Sequence, residues 1–387
     1  MPLKLPQPEL VEIMKPVRSV IPTLAALALT GGILAAPVAG AAELTPTDVN
    51  GGVPVSTISQ MTAPVTENSP EWRTVAREWV AENPAAREGR IEELNVYSPS
   101  MGRDIPVAVI HAADKSTLRP TLYMLNGAGG AEQDNDWITL SPILDLYEDK
   151  NVNLVIPMEG AFSYYTDWLE TPGTGYLKEP QMWETFLTKE LPGPIEEHLG
   201  ASNERGIAGF SMSATSSLLL AEHNQGFYDT VGSFSGCALT SYPLEYEYLR
   251  LTTNRGGGEP EQMWGPQGSP YNVYNDALVN AENLRGTELY ISNGSGLAGE
   301  TDLPGHYTRQ GADPLVASVN SAILQIEGGV IEAGTNACTH HLKAKLDSLD
   351  IPADYNFRPV GTHSWPYWRA DLAQSWETFD RAFTTDE

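Results

Sequence analysis

The spacing of apolar and polar positions changes character along the chain. Residues 42 to about 70 are rich in Pro, Thr, Ser, Val and Gly and read as a leader with little core of its own. From Glu92 the period becomes that of strands. Glu93–Ser98 and Asp104–His111 form an expected antiparallel pair, with Pro99–Arg103 as the turn. Short continuous apolar runs follow at 121–125, 152–157, 206–208, 230–234 and 288–292, the pattern of strands buried on both faces. Helical patterning lies between and after them: 181–198, interrupted at Pro192 and Pro194, the run after Ser211, then 314–328 and 337–349. A last strand at 353–359 and a closing amphipathic helix at 367–383 complete the order. Strands alternating with helices predict an α/β fold, a mostly parallel sheet covered on both faces. Residues 238–285 fit neither period and include Gly256-Gly257-Gly258 with several Tyr and Trp, so they read as an irregular insertion over the site. There is no internal repeat and no appended domain.

The N-terminus has a different logic. Lys15 and Arg18 precede an apolar run from Val20 to Val38, and Ala39-Gly40-Ala41 follows. A basic region, an apolar region and an Ala-x-Ala site predict a secretory signal cleaved near Ala41, with Met14 as a second possible start. The expected organisation is a signal peptide at 1–41, an N-terminal extension at 42–85 and one α/β domain at 86–387. No other stretch reads as long and apolar enough to cross a bilayer. Export makes a disulfide between the two cysteines, Cys237 and Cys338, the expected state.

Composition narrows the partners. The formal net charge of −27 over 387 residues disfavours nucleic acid and anionic lipid as electrostatic partners. No metal-ligand spacing appears, and neither metal nor cofactor is expected.

The chemistry centres on Gly209-Phe210-Ser211-Met212-Ser213, between an apolar strand and a helix-compatible run containing Leu218, Leu219 and Leu220. Strand, Gly-x-Ser-x-small turn and helix make the nucleophile elbow of an α/β-hydrolase, with Ser211 raised above the sheet at a helix N-terminus. In that fold the triad runs Ser, acid, His along the chain. His363, in a loop after the last strand, fits the base. His111, His198 and His223 lie upstream or too near the elbow, His306 falls before the last strand, and His340 and His341 read as surface. The acid should follow the strand at 288–292. Glu300, Asp302, Asp313 and Glu327 are candidates, and the residues alone do not choose among them. Asn126-Gly127-Ala128-Gly129-Gly130, after the strand at 121–125, is the expected second half of an oxyanion hole. The backbone N–H groups of Ala128 and Met212 are its donors. No Gly-Lys-Ser/Thr follows, so this is not a phosphate loop.

Together these stretches resemble the mycolyltransferases of the antigen 85 family, most closely its corynebacterial branch. The matching segments include Leu125-Asn126-Gly127, Asp136-Trp137, Tyr164-Tyr165-Thr166-Asp167-Trp168, Trp183-Glu184-Thr185-Phe186-Leu187, Met263-Trp264-Gly265-Pro266 and the block Gly361-Thr362-His363-Ser364-Trp365-Pro366-Tyr367-Trp368. They span most of residues 90–383. The resemblance implies an exported serine acyltransferase that moves a mycoloyl group from trehalose monomycolate to another hydroxyl. The acceptor would be a trehalose mycolate, arabinogalactan or a protein serine. It implies Ser211 as nucleophile, His363 as base and, through the setting Ile326-Glu327-Gly328, Glu327 as acid. It also implies Ala128 and Met212 as oxyanion donors and Asn126, Gly127, Ser364 and Trp365 in substrate binding. The family's Asp-Gly-Leu-Arg loop is Asn126-Gly127-Ala128-Gly129 here, so the charged contacts that loop gives a sugar are missing. The expected partners are trehalose mycolates and cell-envelope glycolipid or polysaccharide acceptors, and the expected state is a monomer. Two other readings stay open: a secreted carboxylesterase of the same fold, and a non-catalytic envelope protein that only binds.

Overall fold

A computed structural model describes residues 54–384; the expected signal peptide lies outside the described residues. Nine strands form one sheet in the order β1-β2-β3-β5-β4-β6-β7-β8-β9. They are β1 (Thr57–Gln60), β2 (Ile91–Ser98), β3 (Arg103–Ile110), β4 (Arg119–Leu125), β5 (Asn153–Pro157), β6 (Ala201–Phe210), β7 (Thr230–Phe234), β8 (Glu288–Asn293) and β9 (Asp354–Phe357). β1, β2 and β3 pair antiparallel, as do β3 and β5. Every pair from β5 to β9 is parallel. This is the expected mostly parallel α/β-hydrolase sheet.

Apolar residues alternate between two cores, one on each face. Along β4, Tyr123 and Leu125 point into one, Leu122 and Met124 into the other, all fully buried. The helix Met212–His223 packs on the first face through Leu218, Leu219 and Leu220, and the C-terminal helices on the second through Trp368, Leu372 and Phe379. β4 and β6 are neighbours, and β5 lies on the far side of β4. The order in which strands are added therefore reverses at β4, and the crevice beyond the C-terminal ends of β4 and β6 is where such sheets bind ligands.

Three expectations need correction. Residues 54–85, the described part of the expected extension, pack on the domain. β1 adds to the sheet edge, and the helix Glu71–Glu82 buries Trp72, Ala76 and Trp79 while Arg73 sits 2.6 Å from Glu93 of β2. The segment 238–285 is not irregular. It contains the helices Pro243–Gly256, Pro260–Trp264 and Pro270–Tyr274, each opened by a proline at its first turn, where the missing N–H costs nothing. Finally, Pro314–Ser348 is one continuous 35-residue helix that is long and apolar enough, by length and composition, to cross a membrane. A π-turn at Leu324–Gly328 interrupts its regular winding.

Candidate active site

Strand β6 ends in the elbow. Ser211 adopts φ 58° and ψ −122°, a region that costs a non-glycine residue energy and persists only where the surroundings impose it. A Cβ on Gly209 would come within 2.5 Å of the Ser213 carbonyl oxygen and Oγ, so only glycine fits there. Ser213 does more than stay small: its Oγ accepts from Phe210 N at 3.1 Å and lies 3.0 Å from the Leu125 carbonyl, tying the elbow to the end of β4. Gly127 is required by packing, because a Cβ would meet the Phe210 ring at 2.5 Å.

The loop after β9 brings His363 to the nucleophile. Its Nε2 lies 2.7 Å from Ser211 Oγ, and its Nδ1 lies 2.8 Å from Glu332 Oε2. The carboxylate that meets His363 is therefore Glu332, and Glu327 is an exposed residue of the π-turn with no place in this arrangement. Glu332 is fully buried. Its Oε1 accepts from Ser235 Oγ at 2.8 Å, Asn293 Nδ2 at 2.9 Å and Gly294 N at 2.5 Å. All four donors lie at or beyond the C-terminal ends of β7, β8 and β9. Ser235 is held at φ 58°, which turns its hydroxyl under the carboxylate, and it also accepts from Trp368 Nε1 at 3.1 Å. The Trp368 ring stands edge-on to the imidazole at 4.9 Å. Ser235, Asn293 and Gly294 were not legible as site residues. Glu332 was, in retrospect: with Thr335, Thr339, Leu342 and Leu346 it forms a stripe spaced three and four apart on the packed face of its helix.

The other acid candidates have separate tasks. Asp302 is fully buried and accepts from Thr362 Oγ1 at 2.8 Å, Tyr367 OH at 2.6 Å and Gly299 N at 2.8 Å, which fixes the backbone on both sides of His363. Asp313 caps the helix that begins at Pro314. Glu300 is exposed and pairs with Arg309.

The Cys237–Cys338 disulfide is formed, as expected. It ties the segment after β7 to the helix bearing Glu332, and Thr339 Oγ1 adds a bond to the Gly236 carbonyl at 3.1 Å.

On the oxyanion side, the N–H groups of Ala128 and Met212 have no acceptor among the described residues. The Ala128 carbonyl accepts from Phe162 N at 2.8 Å, and Met212 Sδ lies 3.3 Å from Tyr164 N. Both contacts come from a loop in which Phe162, Tyr164 and Tyr165 all have positive φ. The expected substrate-binding set needs correction. Asn126 is fully buried and spends its amide on the Pro157 carbonyl and Trp137 N, closing its own loop. Gly127 is buried against Phe210, and Ser364 turns inward toward Thr362. Trp365 is half-buried, with Nε1 bonded to Asn135 Oδ1 at 2.8 Å.

A separate concavity of about 300 Å³, lined by Lys115, Arg119, Asn153 and Leu199, lies at the opposite, N-terminal ends of the parallel strands. It contains no nucleophile–base pair. Among the described residues no cluster of His, Cys, Asp and Glu is arranged to hold a metal ion.

Comparison with known proteins agrees with this architecture. Residues 98–379 match the Esterase family. Diacylglycerol acyltransferase/mycolyltransferase Ag85A of Mycobacterium tuberculosis is 30% identical over 288 residues, 73% of this chain and 78% of that protein. Its Mycobacterium leprae counterpart is 30% identical over 287 residues, 73% of this chain and 80% of that protein. Among solved structures, MPT51 (FbpC1) of M. tuberculosis superposes with a TM-score of 0.61 at 21% identity, covering 76% of this chain and 98% of that one. An S-formylglutathione hydrolase from Agrobacterium tumefaciens gives 0.52 at 14% identity over 76% and 95%. These two show the α/β-hydrolase fold. With the sequence relatives matched across most of their length, the chain belongs to the antigen 85 family of diacylglycerol acyltransferase/mycolyltransferase proteins.

Proposed function

We propose that this protein is a secreted serine acyltransferase that moves a mycoloyl group from trehalose monomycolate to a hydroxyl acceptor in the cell envelope. The observation that carries the reading is the continuous line Ser211–His363–Glu332, with 2.7 Å and 2.8 Å contacts, on a nucleophile held at φ 58°. His363 Nε2 takes the Ser211 proton as Oγ attacks the ester carbonyl. Glu332 holds the imidazole tautomer and stabilises the imidazolium. The amides of Ala128 and Met212 receive the oxyanion. The tetrahedral intermediate expels the sugar oxygen, which takes the proton from His363, leaving a mycoloyl ester on Ser211. An acceptor hydroxyl then gives its proton to His363 and attacks that ester, and Ser211 Oγ leaves with the proton returned by His363 Nε2.

The acceptor is a trehalose mycolate, arabinogalactan or a protein serine. Asn126 is consumed by its own loop, so the charged contacts that the family's Asp-Gly-Leu-Arg gives a sugar have no counterpart at that loop. This favours an acceptor gripped through neutral groups such as the Trp365 ring. Export through the N-terminal signal, cleaved near Ala41, places the enzyme in the envelope, where it acts as a monomer.

The Esterase-family match favours one second reading, hydrolysis by the same triad with water as acceptor. Product analysis separates the two. Purified protein, with Ser211→Ala as control, is given trehalose monomycolate with and without trehalose. Trehalose dimycolate or acyl exchange, absent from the control, supports transfer; free mycolic acid alone supports the esterase.

A further inference from the structure

The helix Pro314–Ser348 has two faces of different character. Ala317, Ser321, Gly328 and Glu332 are buried against the domain. Opposite them, Leu315 (73% exposed), Val319 (49%), Ile323 (40%), Ile326 (69%) and Val330 (71%) form one stripe, spaced four, four, three and four. At 1.5 Å per residue this ridge is about 22 Å long. Only 22% of the helix's most apolar window is buried. Scattered exposed apolar residues need no explanation, but a continuous ridge does.

Two further observations say what covers it. The first is position. The ridge ends at the triad: the Gly328 carbonyl accepts from His363 N at 3.1 Å, and Glu332 follows Val330 by two residues. Exposed Leu297 and Val360 extend the apolar surface around the His363 loop, and Gly361 N donates to the Leu297 carbonyl at 2.6 Å. The second is charge. Between Pro314 and Leu342 there is no lysine or arginine, in a chain whose net charge is −27. Anionic headgroups and acidic proteins have no basic group to meet along the ridge, since the helix's lysines, Lys343 and Lys345, lie more than a dozen residues past Val330. An uncharged apolar surface does match it.

We infer that the ridge Leu315–Val330 is an interfacial docking surface, laid into an uncharged lipid layer so that an ester-bearing lipid reaches Ser211 without crossing water. The contact is peripheral. The opposite face carries Glu332, Asn336 and Thr339, whose polar groups are engaged inside the protein, so the helix lies along the layer and does not span it. This inference rests on the acyl-transfer reading for the identity of the lipid, but its test does not need turnover.

The processed protein carrying Ser211→Ala is given a single new cysteine, Val319→Cys or, on a remote exposed site, Glu197→Cys. Each is labelled with an environment-sensitive fluorophore and mixed with phosphatidylcholine vesicles. The expected result is a blue shift and a gain in intensity at position 319 and none at 197. Leu315→Asp with Ile326→Asp should weaken vesicle binding at least tenfold, about 1.4 kcal/mol, while hydrolysis of a short soluble ester by the same double variant with Ser211 intact stays unchanged. No response at 319, or equal responses at both sites, overturns the proposal. A response at 319 that follows protein concentration without vesicles, with a doubled mass in light scattering, overturns it in favour of a second copy of the chain.

Discussion

Replacing Glu332 by Gln is the substitution whose outcome follows most directly from the geometry. The carboxylate accepts four bonds, three on Oε1 and one, from His363 Nδ1, on Oε2. An amide has one acceptor oxygen. If that oxygen turns to the three donors, as their number favours, the NH2 group faces His363 and forces Nδ1 to accept. The proton then sits on Nε2, the atom that must take the Ser211 proton. Turned the other way, the amide sets its two hydrogens against three donors around a fully buried site. The first orientation removes the base, and the second keeps it only at the cost of three buried donors left without an acceptor. The expected loss in kcat is about ten thousandfold, the size seen when a triad acid is converted to its amide with geometry intact, or about 5 kcal/mol of transition-state stabilisation. Glu327→Gln, five residues away and exposed, should remain near wild type. The assay is steady-state cleavage of a soluble p-nitrophenyl ester, with thermal unfolding to confirm that both variants fold. A folded Glu332→Gln protein retaining more than a tenth of wild-type kcat would refute the assignment, and so would a comparable loss in Glu327→Gln.

Other consequences follow from the same contacts. Removing the disulfide with Cys237→Ser and Cys338→Ser frees a crosslink spanning 101 residues. Chain-entropy arguments put its contribution at about 4–5 kcal/mol. Calorimetry should show a lower Tm, and kcat should fall as well, because the bridge fixes the helix bearing Glu332. Asp302→Asn leaves Thr362, Tyr367 and Gly299 competing for one acceptor oxygen. It should lower stability by about 1–3 kcal/mol and reduce kcat with little change in KM, measured by denaturant unfolding and ester kinetics. Glu93 is partly buried, which opposes ionisation, yet its bonds to Arg77 and Arg73 hold its carboxyl below the usual range. That stabilisation is present above the unfolded value and is lost as pH falls through the folded one. Acid unfolding followed by circular dichroism should therefore steepen below about pH 4.5, and Glu93→Gln should flatten that dependence while lowering stability at neutral pH.

What was legible in the sequence was what repeats or is sterically forced. Buried strands show as unbroken apolar runs, and the elbow shows because only Gly209 fits beside Ser213. His363 follows from chain order. The acid was hidden by a local duplication: Ile326-Glu327-Gly328 and Ile331-Glu332-Ala333 look alike, and motif matching chose the first. Five residues rotate a helix by about 140° beyond a full turn, so only one of the two carboxylates can face the sheet. The stripe through Thr335, Thr339, Leu342 and Leu346 says which. Asn126 was misread because a polar residue beside glycines looks available to a ligand, and loop closure from 31 residues away, at Pro157, leaves no local trace. The support of Glu332 by Ser235 and Asn293 brings together the ends of β7 and β8 with a helix some 40 to 97 residues distant, which no local pattern encodes. In 238–285, Pro260–Trp264 and Pro270–Tyr274 are too short to show a period, and Pro243–Gly256 hides its own because Leu244 and Leu251 are exposed while Thr253 and Gly256 are buried, though the prolines that open all three were in view.

The central claim is that acyl transfer passes through Ser211. Intact-mass spectrometry of the protein mixed with trehalose monomycolate tests it most directly. The account predicts a covalent adduct of one mycoloyl group, mapped to Ser211, absent from Ser211→Ala and discharged when an acceptor sugar is added. Turnover without such an adduct, or an adduct that persists in Ser211→Ala, would contradict it.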